Sequence, residues 1–212
     1  MVISPLLEAS DNMLDLNKVK EFLNKWEKEL RANNFDAILR NLSSYDYNFL
    51  RELCEECDIN LLEHLTYIPE DFFAGDLKLK DITIPTNIKE IQSRAFQGCK
   101  NLKTVQIEGS INKIGRQAFE GCENLESINL PEGLQILEAR TFAGCKNLEY
   151  LFLPDSLQQV KEDVFDGMPD SAVIELRKGI VRQTDPNHAR PKALSMRGTS
   201  GEFISKHYRW KE

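Results

Sequence analysis

Histidine is scarce in this chain of 212 residues, and so are the motifs from which nucleophilic, phosphate or metal chemistry is usually assembled. The three histidines are His64, His188 and His207. No G-x-S-x-G elbow, no phosphate-cradling G-x-x-x-x-G-K and no H-E-x-x-H helix occurs. An apolar run of about 18 residues, the least that suggests a membrane-spanning helix, is also missing. The opening Met1-Val2-Ile3-Ser4-Pro5-Leu6-Leu7-Glu8 lacks the basic start and the apolar stretch of a secretory signal. These absences set the first expectations: no enzymatic activity, no cofactor, no metal, no membrane insertion, and a location in the cytoplasm or on an assembled particle.

Cysteine is present but does not read as chemistry. There are five, an odd number, which together with the missing signal favours a reducing compartment. Cys54-Glu55-Glu56-Cys57 is a formal C-x-x-C, yet Glu52, Glu55, Glu56 and Asp58 around it disfavour the thiolate that a redox pair needs. No second pair completes a zinc tetrahedron, and His64 would supply only a third ligand. The plain reading is packing on a helix. Asn41-Leu42-Ser43 matches a glycosylation triplet, which matters only in a secreted eukaryotic protein.

What the chain does have is a period. Phe73, Phe96, Phe119, Phe142 and Phe165 recur every 23 residues, and a glycine follows each by two, at Gly75, Gly98, Gly121, Gly144 and Gly167. Ile82, Val105, Ile128, Leu151 and Ile174 form a further column, and Ile84, Ile107, Leu130, Leu153 and Leu176 another. Ile88, Ile111, Leu134, Leu157 and Ile180 continue the pattern, as do Ile91, Ile114, Leu137 and Val160. A fixed period of this size means a solenoid, whose coils bury their apolar faces only by stacking. Ile59, Leu61, Leu65 and Ile68 fall in the same columns, so an opening coil is expected from about Asp58.

Within each repeat, alternation such as Val105-Gln106-Ile107 predicts a short strand, ended by proline at Pro85, Pro131 and Pro154. The stretch Glu138-Ala139-Arg140-Thr141-Phe142 and its equivalents read as a short helical turn aiming the ring inward, and glycine then reverses the chain. Cys99, Cys122 and Cys145 sit in register, which suits a ladder of buried thiols, with disulfides between adjacent coils left open.

Runs such as Ile91-Gln92-Ser93-Arg94-Ala95-Phe96-Gln97-Gly98-Cys99-Lys100-Asn101-Leu102, repeated at Ile114 to Leu125 and Leu137 to Leu148, resemble the BspA-like class of leucine-rich repeat. The resemblance covers roughly residues 59–180. It implies a curved, right-handed α/β solenoid and, by analogy, binding of a protein or surface ligand. The last repeat departs from the pattern, with Met168 for Cys and Ser171 for Leu, and the first has Asp76 for Cys. Degenerate ends are usual where a stack is capped.

The expected organisation is therefore three-part. Residues 1–57 do not repeat: Leu16, Val19, Phe22, Leu23, Trp26 and Leu30 outline one amphipathic helix, Phe35 to Leu42 a second, and a stretch from about Ser44 a third. They form either a helical cap on the first coil or a separate docking module. Residues 58–180 form a leucine-rich-repeat solenoid of about five to six coils. Residues 181–212 form a basic, aromatic tail. From Arg177 onward nine Lys or Arg face three acidic residues, and prolines and glycines argue against regular structure between about 184 and 202. The tail contacts expected are Phe203, Tyr208, Arg209 and Trp210, to an acidic protein surface (this chain's own included) or, less favoured, to nucleic acid.

A partner would meet the outward strand residues. These are Asp81 and Thr83, Thr104 and Gln106, Ser127 and Asn129, Tyr150 and Phe152, Val173 and Glu175. Most are small and polar. Tyr150 and Phe152 are not, and two outward rings on one strand suit an interface hot spot, or a surface that the tail or a last helix covers. The partner-binding set is thus Tyr150, Phe152, Asn129, Gln106, Thr104 and Glu175. The favoured function is a non-enzymatic scaffold for a protein or peptide ligand. A structural or attachment component of a larger assembly, such as a virion or surface layer, is the alternative.

Overall fold

The computed structural model describes residues 16–56, 59–161, 163–176 and 195–196. The chain divides into two units, one ending at Tyr67 and the other starting at Ile68.

The first unit is helical. Helix α1 (Leu16–Arg31) buries Val19, Phe22, Leu23, Trp26 and Leu30, the three- and four-residue spacing that keeps one helix face dry. Asn33, at φ 53°, ends it in a left-handed residue, and Asn34 caps α2 (Phe35–Leu39) by accepting from the Ala37 N–H at 3.2 Å. Helix α3 (Ser44–Glu56) turns Phe49, Leu50, Leu53 and Cys54 inward, and Phe49 meets Phe22 edge to face at 5.5 Å. A 3-10 helix (Leu61–His64) follows. Where the equivalent columns of later coils are strand, the chain coils here, because the adjacent Leu61 and Leu62 are both buried and a strand points neighbours to opposite sides.

The second unit is the solenoid, with about five coils of the predicted period. Strands β2 (Asp81–Ile84), β4 (Thr104–Ile107) and β6 (Ser127–Ile128) form one parallel sheet, and β8 (Tyr150–Leu153) pairs with β10 (Val173–Leu176) in another. The register is fixed by the repeat: Asp81 lies opposite Thr104, Thr104 opposite Ser127, and Tyr150 opposite Val173. A second side is a six-stranded sheet in the order β1 (Tyr67–Ile68), β3 (Glu90–Ile91), β5 (Lys113–Ile114), β7 (Ile136–Leu137), β9 (Gln159–Val160) and β11 (Ser195–Met196). The pairing of Ser195 with Gln159 and Met196 with Val160 puts a strand inside the stretch that its prolines and glycines marked as irregular. The parallel neighbour supplies the hydrogen bonds that local propensity does not.

The third side carries the phenylalanines, and its backbone corrects the expected helical turn. Arg94, Gln117, Arg140 and Asp163, with Asp71 before them, all have φ between 53° and 60°, and the glycines four residues later have φ between 70° and 75°. Two left-handed residues per coil break any helix. Alternate amides then point along the stack. The Phe73, Phe96, Phe119 and Phe142 N–H groups donate to Ala95, Ala118, Thr141 and Val164 one coil on, at 2.7 to 2.9 Å. Gly75, Gly98, Gly121 and Gly144 do the same to Gln97, Glu120, Ala143 and Asp166 at 2.6 to 2.8 Å. The amides between them close tight local turns, as Gln97 does on Arg94 at 3.0 Å. The coils are thereby tied along this side as well as through the sheets.

The rings fill the interior. Phe96, Phe119 and Phe142 are fully buried, and successive centroids lie 5.0 Å apart for Phe73–Phe96, 5.0 Å for Phe96–Phe119 and 5.7 Å for Phe119–Phe142, with planes within 10°. Around them pack the columns of Ile88, Ile111 and Leu134, of Ile91, Ile114 and Leu137, and of Leu102, Leu125 and Leu148, all buried.

Candidate interaction face

The outward positions of the β2-β4-β6 and β8-β10 sheets are where the sequence placed a partner. Thr104 and Gln106 are exposed, alternating with the buried Val105 and Ile107. Tyr150 is 50% and Phe152 47% exposed, while Leu151 and Leu153 between and beyond them are fully buried. The strand therefore projects both rings to one side, where they lie tilted against each other at 5.7 Å. Among the described residues, Leu77 at 56% is the one other large apolar side chain so open. Glu175 is in register with Phe152, and Val173 with Tyr150.

Asn129 is exposed as expected, but its amide is already occupied. Its Oδ1 accepts from the Ile107 N–H at 2.7 Å and its Nδ2 donates to the Ile107 carbonyl at 2.8 Å. The side chain thus imitates a peptide group and replaces a ladder pairing, which is why β6 stops at Ile128 where β4 runs two residues further. Beyond it the sheet is interrupted, with β8 pairing to β10 and not to β6. Tyr150 and Phe152 stand directly at that interruption. Phe203, Tyr208, Arg209 and Trp210 lie outside the described residues.

The groups that could act chemically are placed structurally. The His64 ring stacks on Phe35 at 5.4 Å. Cys99, Cys122 and Cys145 are free, buried thiols, which donate to the carbonyls of Phe73, Phe96 and Phe119 at 2.9, 3.1 and 3.2 Å. Removal from water pushes Cys145 up to about 12. Cys122 is raised as well, first by its hydrogen bond with Cys99 and then by burial. Cys122 and Cys145 are thus held as neutral donors, the opposite of activated nucleophiles. Cys54 is buried in α3, and Cys57 lies outside the described residues. Asn41 donates its amide to the Ala37 carbonyl at 2.8 Å. Among the described residues no group of His, Cys, Asp and Glu is arranged to hold a metal ion, and no helix is long and apolar enough to cross a membrane.

Two ladders went unread in the sequence. On the phenylalanine side, Arg94 grips Asp71 through Nε and Nη2 at 2.8 and 2.9 Å, and Arg140 reaches Glu120 at 2.7 Å. Burial alone would raise Glu120, but hydrogen bonds from Arg140, Gln97 and Gln117 outweigh it and hold the carboxyl below its ordinary range. Beside the thiols, Glu123 lies between Lys146 at 2.8 Å and Lys100 at 3.3 Å. Next to it, Asn147 donates to Asn124 at 3.2 Å. The signal was present as charge and amide alternation at the repeat period.

A family model described as "BspA type Leucine rich repeat region" matches residues 44–174 in six copies, more than half of the sequence. The chain belongs to that family of leucine-rich repeat proteins. Among solved structures it is similar to a T. pallidum leucine-rich repeat protein (TpLRR) at 24% identity and a TM-score of 0.50, covering 53% of this chain and 52% of that one. A leucine-rich repeat protein from Bacteroides ovatus is 28% identical with a TM-score of 0.42, covering 47% and 30%. The pneumococcal vaccine antigen PcpA is 24% identical with a TM-score of 0.43, covering 54% and 36%. The chain spans about half the length of the first and less of the others. No curated protein matches it.

Proposed function

We propose that this chain is a non-enzymatic interaction scaffold, which offers its strand face to a protein or peptide with Tyr150 and Phe152 as the centre of contact. The observation that carries this reading is the pair of half-exposed rings on a face otherwise lined mostly by small polar groups, in a unit whose other described phenylalanines are buried. Aromatic anchors at the centre of a contact contribute most of its free energy, and polar neighbours such as Thr104 and Gln106 supply fit more than affinity. Family membership supports a binding role, since the fold presents surfaces. The neutral thiols and the stacked His64 ring support the absence of catalysis.

The test uses the full chain immobilised and compared with Tyr150→Ala and Phe152→Ala. Any partner retained by the wild type is identified and then titrated against each variant. Each truncation is expected to cost about 2 kcal/mol, roughly thirty-fold in Kd. Unaltered unfolding curves would confirm that these exposed substitutions leave the solenoid intact. Retention of every partner at wild-type affinity by the double variant would sink the proposal.

A further inference from the structure

We propose that residues 197–212 of this chain occupy the Tyr150–Phe152 face of the free protein, so that the chain's own C-terminal segment covers the surface until a partner displaces it. This rests on the sheet-face reading and adds to it an occupant of defined chemistry. The first support is the face itself, where two rings stand half open beside the sheet interruption at Asn129. The second is charge. Glu149 immediately precedes Tyr150 and is exposed, and Asp155 is exposed two residues beyond Leu153. Residues 147–160 contain no lysine or arginine at all. Carboxylates such as Glu149 and Asp155 beside aromatic rings favour a ligand that is cationic and aromatic together. Residues 197–212 have that composition, with Lys206, Arg209 and Lys211 interleaved with Phe203, Tyr208 and Trp210.

The third support is reach. Strand β11 pairs with β9, so the chain arrives at Met196 beside the last coils of the stack. Sixteen residues follow it. Extended at about 3.3 Å each they cover roughly 50 Å, about ten times the strand spacing of ~4.8 Å. Strand β8 pairs with β10, the last strand on its side of the stack. The same segment held against the face is at a high effective concentration, so a free partner must exceed it in affinity or charge.

Trp210 reports on this contact. The chain's two tryptophans are Trp26 and Trp210, and Trp26 is buried, so subtracting the spectrum of a Trp210→Phe variant isolates the tail. In the full chain, Trp210 emission is expected to be blue-shifted and shielded from acrylamide relative to a synthetic peptide of residues 197–212. Tyr150→Ser combined with Phe152→Ser should return both readings to the peptide's values. Peptide-like emission in the wild type overturns the proposal. So does shielding that survives the double variant, which would place the tail elsewhere, and so does shielding lost on dilution, which would mean contact with a second copy. The readout involves no partner. Shielding that behaves as expected, alongside partners indifferent to the two rings, would reject the scaffold function and leave the tail contact standing.

Discussion

Phe119→Ala should lower the unfolding free energy by about 3–5 kcal/mol, the range for emptying a fully buried aromatic site. The ring lies between Phe96 at 5.0 Å and Phe142 at 5.7 Å, so its removal takes contacts from both neighbours and from two coil interfaces at once. In a stacked array each coil is stabilised mainly by the coils beside it. A gap in the middle therefore also uncouples the two halves, and the denaturant slope should fall along with the midpoint. Phe73→Ala is the comparison. That ring is 8% exposed and has one stacked partner in the ladder, Phe96, so its loss should cost less. Urea titration followed by far-UV circular dichroism measures both. A loss below about 1 kcal/mol for Phe119→Ala would mean that the column does not carry the interior.

Gly115→Ala should cost about 3 kcal/mol, the upper part of the usual range for overpacking. A Cβ built on Gly115 would lie 2.5 Å from the Ser93 nitrogen and 2.6 Å from the Gln92 carbonyl carbon. Both are backbone atoms that cannot swing aside, and they belong to the coil that Gly115 itself holds through its N–H bond to the Ile91 carbonyl at 2.8 Å. Relief requires separating β3 from β5. Gly144→Ala isolates the other cost that a glycine can hide. Its φ of 75° disfavours a side chain, but a Cβ there would meet nothing closer than the Gly121 backbone at 3.6 Å, so about 1–2 kcal/mol is expected. Thermal or urea unfolding of the pair gives the order, and a milder effect at Gly115 than at Gly144 would contradict the close approach. Nothing in the repeat predicts this site, because the same register position holds Gln92, Glu138 and Lys161 in other coils.

A repeating sequence displays the demands that every coil meets with the same residue type, and conceals those that the stack imposes on the backbone. The phenylalanine column was legible because one residue type answers one demand, an aromatic volume in the interior, at every period. The strand pairs around Val105 and Leu151 were legible because alternation reports one buried face. The left-handed column was hidden. Asp71, Arg94, Gln117, Arg140 and Asp163 share no chemistry, and none is glycine. Their backbone conformation is imposed by hydrogen bonds to the next coil, which local propensity does not encode. Asn129 was hidden for another reason. Ser127-Ile128-Asn129-Leu130 alternates like its neighbours, and only the geometry shows the amide bonded to Ile107 from both ends. Of the proposed face, Tyr150 and Phe152 stood out because they broke a column of small polar residues. The interruption beside them did not.

The claim on which the rest depends is that coil is bonded to coil along the phenylalanine side as well as through the sheets. Amide hydrogen exchange read residue by residue tests it directly. The N–H groups of Phe96, Phe119 and Phe142, with those of Gly98, Gly121 and Gly144, should exchange only through global unfolding, as slowly as Val105 in the centre of β4. Exchange of those six amides at the rate of exposed loops, with Val105 still protected, would show that the third side is not bonded along the stack and would contradict the account.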